Sequence, residues 1–554
     1  DRIASRAGLP TLRASTLAML SHVDHLEGRD QLAAQRLEQA IELSRSTGQQ
    51  FHLALALFGE ARSLGRLGSI QAAEKAIAES LEITDELRAS AQVSDWQSSF
   101  LATRYQAYEL HVDLLMQLEA RHPQKGYRER ALQATDRYRA RALLDQISDA
   151  RRRQQAAELT PQALQSPGKT RARPAVPGAT VRPAPPKLLQ VEEIQQLLDP
   201  ETSLLSFFLG EERGFVWLID HDAVHTAVLP PRAAIERIAV RLQRLLKNPR
   251  LRSSRGEIAQ LADILFGGIG DHLKAKRLLI VADGALRYLP FGVFPVSRAG
   301  RLATPLLEDH EITYLPSASV AGEIRRMQSG RPAAPRALAI FADPVYETDD
   351  DRLGGTRPPA ASDFRRLPHT SVEADQIAHL IDEETLLLTG FAATREAAFN
   401  PELGRHRIVH FATHAQLEAE HSENSGIILS LVDQTGRPRN GLLRTSEIYD
   451  LRLPADLVVL SACETALGKE IKGEGIVGLS HAFFHAGAAR LLVSLWRVDD
   501  EATAALMTSF YRGLLHEGLS APEALRKAQL ELRNGSRWRS PYFWAGFVLQ
   551  GDWT

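Results

Sequence analysis

The chain has 554 residues, 44% hydrophobic and 24% charged, with a formal net charge of −2. That length exceeds what one hydrophobic core supports and implies two or three domains, and the even charge balance gives no field to recruit nucleic acid or a membrane surface. One cysteine in the whole chain excludes an internal disulfide scaffold and thiolate-rich zinc sites, and no apolar run approaches the roughly 18 residues of a membrane span. The expectation is a protein of a reducing, cytoplasmic setting with no metal and no cofactor. The chain starts at Asp1 rather than Met, which leaves a removed leader open.

In chain order, residues 1–158 are rich in Ala, Leu, Glu, Gln and Arg and almost free of Pro, which predicts helices throughout. They also repeat. Gly28, Ala33, Leu37 and Ala40 match Gly68, Ala73, Ile77 and Ser80 at an offset of 40 residues, and a weaker third copy starts at Gly126 with Ala131 and Ala134. Small residues let antiparallel helices approach, and Leu37 and Ile77 fill the seam. The pattern resembles tetratricopeptide repeats, stretched beyond their usual 34 residues; a plain helical bundle is the alternative. A solenoid of this kind offers a concave face for a protein partner. Residues 159–186 hold seven of the 28 prolines together with Lys169, Arg171, Arg173 and Arg182, a composition that cannot build a core and reads as a linker.

From Lys187 onward strand and helix signals alternate. Residues 203–209 and 214–219 predict a hairpin; further strands are expected at 277–282, 312–315, 337–342, 385–388, 407–412, 426–431, 457–461, 489–496 and 543–549. Helices fit at 232–247, 317–328, 370–382, 475–486, 501–515 and 521–533. Alternation of this kind predicts an α/β domain with a largely parallel central sheet, divided into a subdomain at 187–335 and a core at 336–554.

Two strand ends carry chemistry. Cys463 closes the run Leu457-Val-Val-Leu-Ser-Ala-Cys463, and His414 closes Arg407-Ile-Val-His-Phe-Ala-Thr-His414, 49 residues upstream. The C-terminal edge of an open α/β sheet is where ligands collect, and a strand-end Cys with a His about 50 residues before it has caspase-type spacing. Against this stands the plain alternative that a lone Cys in a core strand is there for packing. His410, four residues before His414, lies roughly 13 Å deeper along an extended strand. That makes it structural, and it removes a metal reading of His410 with His414, whose spacing suits a helix. Gly473-Glu-Gly475-Ile-Val-Gly478 matches a dinucleotide fingerprint, with Asp499 further on, but its first glycine does not directly follow a strand.

Taken together, His410-Phe-Ala-Thr-His414-Ala, Leu460-Ser-Ala-Cys463-Glu-Thr-Ala-Leu-Gly468, Ser494-Leu-Trp-Arg-Val-Asp-Asp500 and Pro541-Tyr-Phe-Trp-Ala-Gly-Phe-Val-Leu549 resemble the CHAT family, caspase-like cysteine peptidases related to separase. Members often carry tetratricopeptide repeats ahead of the peptidase. The resemblance implies a cysteine endopeptidase acting on a specific protein substrate through a Cys463/His414 dyad and a thioester acyl-enzyme. It also implies an oxyanion hole from the backbone N–H groups of Cys463 and Ala415, and control by a partner bound through the repeats. Many relatives have Gly where this chain has Ala415. No Asp or Asn stands in an obvious third position, so a main-chain carbonyl is expected to orient His414. In separase-like relatives an acid after the strand ending at Trp496 takes a basic substrate side chain; Asp500 matches best and Asp499 is its neighbour, while helix capping is the competing role. The loops at 416–424 and 465–474 are candidates for regulation. Two alternatives remain open: a catalytically inactive scaffold on the same fold, and a nucleotide-binding protein using residues 473–478.

Overall fold

The computed structural model describes residues 9–90, 97–139, 143–148, 188–248, 254–298, 301–353, 364–381, 384–416, 425–461, 469–471 and 475–554. The chain forms two compact units, Asp1–Arg139 and Ala140–Thr554.

In the first unit, α1 (Pro10–Leu26), α2 (Asp30–Ser46) and α3 (Gln50–Arg66) have 17 residues each, followed by α4 (Ile70–Ser90), α5 (Gln97–Arg121) and α6 (Tyr127–Tyr138). Gly28, Gly48 and Gly68 take φ of 75°, 68° and 81° in the turns between the first four helices, a region that side chains with a Cβ avoid. One helix and turn therefore occupy 20 residues and a helix pair 40, which accounts for the long repeat. Ala33, Leu37, Ala73 and Ile77 are buried, as the seam requires. The packing is close: a Cβ on Gly59 of α3 would stand 2.9 Å from Leu37 Cδ2 of α2. Gly126, φ 73°, opens α6, where Ala131 and Ala134 are buried in turn. Helical repeats were expected to reach residue 158, but the first unit ends at Arg139. Leu143, Leu144 and Ile147 of a helix at 143–148 belong to the second unit's hydrophobic core. The Pro-rich segment 159–186 lies outside the described residues.

In the second unit eleven strands among the described residues form one sheet: β1 (Thr202–Leu209), β2 (Gly214–Ile219), β3 (Val224–Leu229), β4 (Arg277–Val281), β5 (Glu311–Tyr314), β6 (Arg336–Ala342), β7 (Leu386–Thr389), β8 (His406–Ala412), β9 (Leu457–Leu460), β10 (Arg490–Ser494) and β11 (Phe547–Gly551). Their order is β3-β2-β1-β4-β5-β11-β10-β9-β8-β6-β7. Seven of the ten pairings are parallel; β2 against β1 and β3, and β11 against β10, are antiparallel. The sheet is thus largely parallel, as the alternation of elements predicts. Strands β1, β2 and β9 are buried along their whole length, which requires cover on both faces. Helices include α7 (Arg232–Leu246), α8 (Arg255–Phe266), α9 (Ala318–Gln328), α10 (Pro368–Ala378), α11 (Leu479–Ala486), α12 (Asp500–Leu515) and α13 (Ala521–Asn534).

Residues on the two sides of position 335 supply adjoining parts of this one sheet, joined where β5 pairs with β11. The hairpin strand β3 and helix α8 were not anticipated. The last strand starts at Phe547 rather than 543, because Pro541–Trp544 forms a helical turn. Read from β6, strands β7-β6-β8-β9-β10 follow the doubly wound 2-1-3-4-5 order. The chain steps outward from β6 to β7 and then returns on the other side, so a topological switch point opens between β6 and β8, where such sheets bind ligands.

Candidate active site

Strands β6, β8, β9 and β10 are parallel neighbours, so their C-terminal ends share one edge of the sheet. His414 follows β8 by two residues, Cys463 follows β9 by three, and Asp499 and Asp500 follow β10. Strand order therefore sets the end that leads to Cys463 between the ends that lead to His414 and to Asp500. Cys463 itself lies outside the described residues, which reach Ser461 on that side, as do 417–424 and most of the loop at 465–474.

Beyond Ala412 the chain leaves the main sheet. His414–Gln416 pairs antiparallel with Gly426–Ile428, which pairs in turn with Leu442–Arg444. This small sheet fixes the backbone around the histidine. Ala415, half-buried, stands opposite Ile427. Thr413 Oγ1 donates to the Ile428 carbonyl, and Tyr346 OH lies 2.7 Å from Thr413 Oγ1 and 3.4 Å from the His414 N–H.

The imidazole of His414 is buried at 8% exposure, against the rings of Tyr346 and Phe364 at centroid distances of 5.1 and 5.5 Å. Its Nε2 is 2.7 Å from the Arg365 carbonyl oxygen. A carbonyl only accepts, so Nε2 carries the hydrogen and, in the neutral ring, Nδ1 keeps the lone pair. The expected main-chain orienter is thus present. Burial holds the pKa of His414 below the usual histidine range; the Arg365 carbonyl opposes that, Arg497 reinforces it and Asp500 opposes it. The balance favours a neutral ring able to accept a proton.

The two acids after β10 divide their work. Asp499 is the N-cap of α12, its Oδ1 accepting from the Ala502 N–H at 3.0 Å. Asp500 makes no side-chain hydrogen bond among the described residues. Burial raises its pKa, while His369 opposes that, Asp499 adds to it, and His414 and Arg497 oppose it. A half-buried carboxylate without a hydrogen-bond partner, beside His414, is what a cationic ligand would complete.

His410 is structural, as its depth along β8 predicts. It is fully buried, with Nε2 3.0 Å from Ser461 Oγ and 3.3 Å from Glu373 Oε1, and Nδ1 3.2 Å from Tyr511 OH. Burial pushes His410 down to about 3 and Glu373 up to about 8, so both are neutral near pH 7. Among the described residues no three His, Cys, Asp or Glu side chains gather as a metal ion would require.

The glycine run at 473–478 reads differently in the structure. Residues Gly475–Val477 are a strand paired antiparallel with Lys469–Ile471, and α11 opens only at Leu479. A dinucleotide fingerprint needs its glycines in the turn between a strand and the helix; here Gly475 lies in a hairpin strand and only Gly478, the N-cap of α11, stands at the helix entrance. Sequence patterning also passed over Tyr346, Phe364, Arg365, Arg497 and His369. A main-chain carbonyl leaves no side-chain signature; among these residues only Tyr346 carried a signal that could have been read, its position just past the end of β6.

Fold and edge together define a helical-repeat unit and an α/β unit with a largely parallel sheet, the strands of which bring His414, Asp499 and Asp500 to one edge. The CHAT domain family model matches residues 236–552, more than half of the chain, and the chain belongs to that family. It is 27% identical over 340 residues to human tetratricopeptide repeat protein 28 and 25% identical over 323 residues to the mouse protein. Each match takes in 52% of this chain, which spans only 12% of the length of those relatives. Among solved structures it is similar to the Saccharomyces cerevisiae separase–securin complex, with a TM-score of 0.49 and 9% identity, covering 100% of this chain and 47% of that one. It is similar also to the Arg-specific cysteine proteinase gingipain R, with a TM-score of 0.35 and 9% identity, covering 58% and 74%. Among the described residues no helix is long and apolar enough to cross a membrane.

Proposed function

We propose that the second unit is a cysteine endopeptidase in which Cys463 is the nucleophile and His414 the base. The observation that carries this reading is the strand order: the end of β9 stands between the ends leading to His414 and Asp500, and His414 already spends Nε2 on a carbonyl. In the step envisaged, the Cys463 thiol gives its proton to His414 Nδ1 and its sulfur bonds the substrate carbonyl carbon. The oxyanion is met by the backbone N–H groups of Cys463 and Ala415. Collapse breaks the C–N bond, His414 returns the proton to the leaving amine, and water then hydrolyses the thioester.

Asp500 supplies the specificity: its carboxylate, free of the capping role that Asp499 fills, takes the Arg or Lys side chain before the scissile bond. The repeat region binds a regulatory protein partner, and the cytoplasm is the compartment in which a lone catalytic thiol stays reduced.

A panel of fluorogenic peptides varied at the residue before the cleaved bond tests this. The wild type should favour Arg or Lys, and Cys463→Ala and His414→Ala should each lose roughly a thousandfold or more in kcat/KM. Asp500→Asn should lose on the order of tenfold for basic peptides alone. Hydrolysis that survives Cys463→Ala, or none by the wild type with its partner present, overturns the reading in favour of a binding scaffold.

A further inference from the structure

The loop that leaves β6 reaches His414 from two sides. Tyr346 holds its backbone, as described. Asp343, three residues earlier, is connected to the imidazole by a longer route. Its carboxylate is buried, 4% of the residue being exposed, and accepts a bidentate pair from Arg366: Nε to Oδ1 at 3.0 Å and Nη2 to Oδ2 at 2.8 Å. Arg352 Nη1 adds bonds to Asp343 Oδ2 at 3.0 Å and to its main-chain oxygen at 2.8 Å, while Arg352 is itself held by Asp350. The Asp343 N–H donates to Thr370 Oγ1 at 3.0 Å, on the first turn of α10.

Asp343 has a φ of 45°, one of two non-glycine residues among those described with positive φ. That left-handed backbone costs of order 1 kcal/mol and persists where the surroundings enforce it, as at functional sites. Here it sits at the switch point between β6 and β8. Two planar guanidinium–carboxylate contacts fix orientation as well as position. Arg366 is adjacent to Arg365, whose carbonyl is the hydrogen-bond partner of His414 Nε2.

We infer that Asp343 and Arg366 are positioning residues: their bidentate pair clamps the 365–366 segment so that the Arg365 carbonyl fixes the tautomer and orientation of His414. This deepens, and rests on, the reading of His414 as the base. The logic is that of outer partners which orient a working imidazole, where removal of the partner leaves the ring in place and misaimed. Arg366 keeps 40% of its side chain exposed, and Arg352 remains on Asp343 if Arg366 is removed, so its loss does not strand a buried carboxylate.

The test uses the full chain carrying Cys463→Ala, with labelled histidines and the His414 resonances assigned by comparison with His414→Gln. NMR then reads the His414 tautomer and titration midpoint without any need for activity. The parent should show the Nε2–H tautomer. Arg366→Gln and Asp343→Asn should each lower the midpoint, because the carbonyl contact supports the protonated ring, and should reduce the Nε2–H population; Arg366→Lys should fall between. In the chain with Cys463 restored, Arg366→Gln should lower kcat on the order of tenfold with KM unchanged. If His414 keeps its tautomer and midpoint in folded Arg366→Gln, the clamp is overturned, and that variant decides the matter where Asp343→Asn does not fold. Shifted resonances without peptide hydrolysis by the wild type would uphold the clamp and overturn the peptidase reading instead.

Discussion

The two ends of strands β8, β9 and β10 treat their charges differently. At the edge where β8, β9 and β10 begin, charged side chains interlock. Asp456 takes Arg331 at 2.7 Å and Arg407 at 3.2 Å. Arg490 donates to the main-chain oxygens of Asp552 and Asp456, Arg325 bonds Asp552 at 3.2 Å, and the Arg325 guanidinium lies 3.7 Å over the Trp553 ring. Where the same strands end, Asp343 just past neighbouring β6 is paired with Arg366 and Arg352, but Asp500 and His414 Nδ1 have no hydrogen-bond partner among the described residues. Both ends belong to one compact unit and one sheet. A fold gains nothing by leaving a desolvated carboxylate unpaired, and the proposed specificity role of Asp500 would account for that contrast.

That contrast can be broken at either edge. The larger effect is expected where charges are paired. Arg490→Ala leaves Arg325 on Asp552 but removes the donor to two main-chain oxygens at a largely enclosed site, and should cost about 2 kcal/mol in denaturant unfolding, while the folded fraction keeps its kcat. A loss of turnover with stability unchanged would show that this edge also serves the reaction.

A smaller effect follows from the neutral pair beneath the candidate site. The folded pKa of Glu373, about 8, stands above its unfolded value, so its contribution is present below about pH 4.5 and is lost as pH rises through about 8. His410 runs the other way: its folded value of about 3 lies below the unfolded one, so its contribution is present above about pH 6.5 and is lost as pH falls through about 3. Glu373→Gln should therefore flatten the alkaline limb of a stability–pH curve and leave the acidic limb in place. Equal slopes in wild type and variant between pH 5 and 8 would remove Glu373 from the account.

Much of this architecture was legible in the residues. Alternating strand and helix signals gave the largely parallel sheet, and Gly28 with Gly68 gave the 40-residue repeat, because backbone periodicity and left-handed turns write themselves into residue type. His410 was separable from His414 by distance along a strand alone. Capping and substrate binding were expected as competing uses of these acids, with the cap read at the Asp before Glu501; in the structure the cap is Asp499, one residue earlier. What escaped reading depends on chain paths. The end of the first unit at Arg139 turns on which core Leu143, Leu144 and Ile147 enter, and one helical composition spans both sides of that boundary. Within the Gly473–Gly478 run, which reads as a helix entrance by spelling, Gly475–Val477 pairs as a hairpin strand. The carbonyl of Arg365, and the Asp343–Arg366 pair behind it, lie about 50 to 70 residues from His414 in sequence and meet it only through the fold.

Cys463 is the only cysteine of the chain, so every alkylation event reports on it. The most direct measurement is the rate of its alkylation by iodoacetamide at neutral pH in folded wild type and folded His414→Ala. An imidazole that takes the thiol proton predicts a wild-type rate on the order of tenfold or more above that of the variant. Equal rates in the two proteins, both matching a free thiol, would contradict the dyad and leave Cys463 a packing residue.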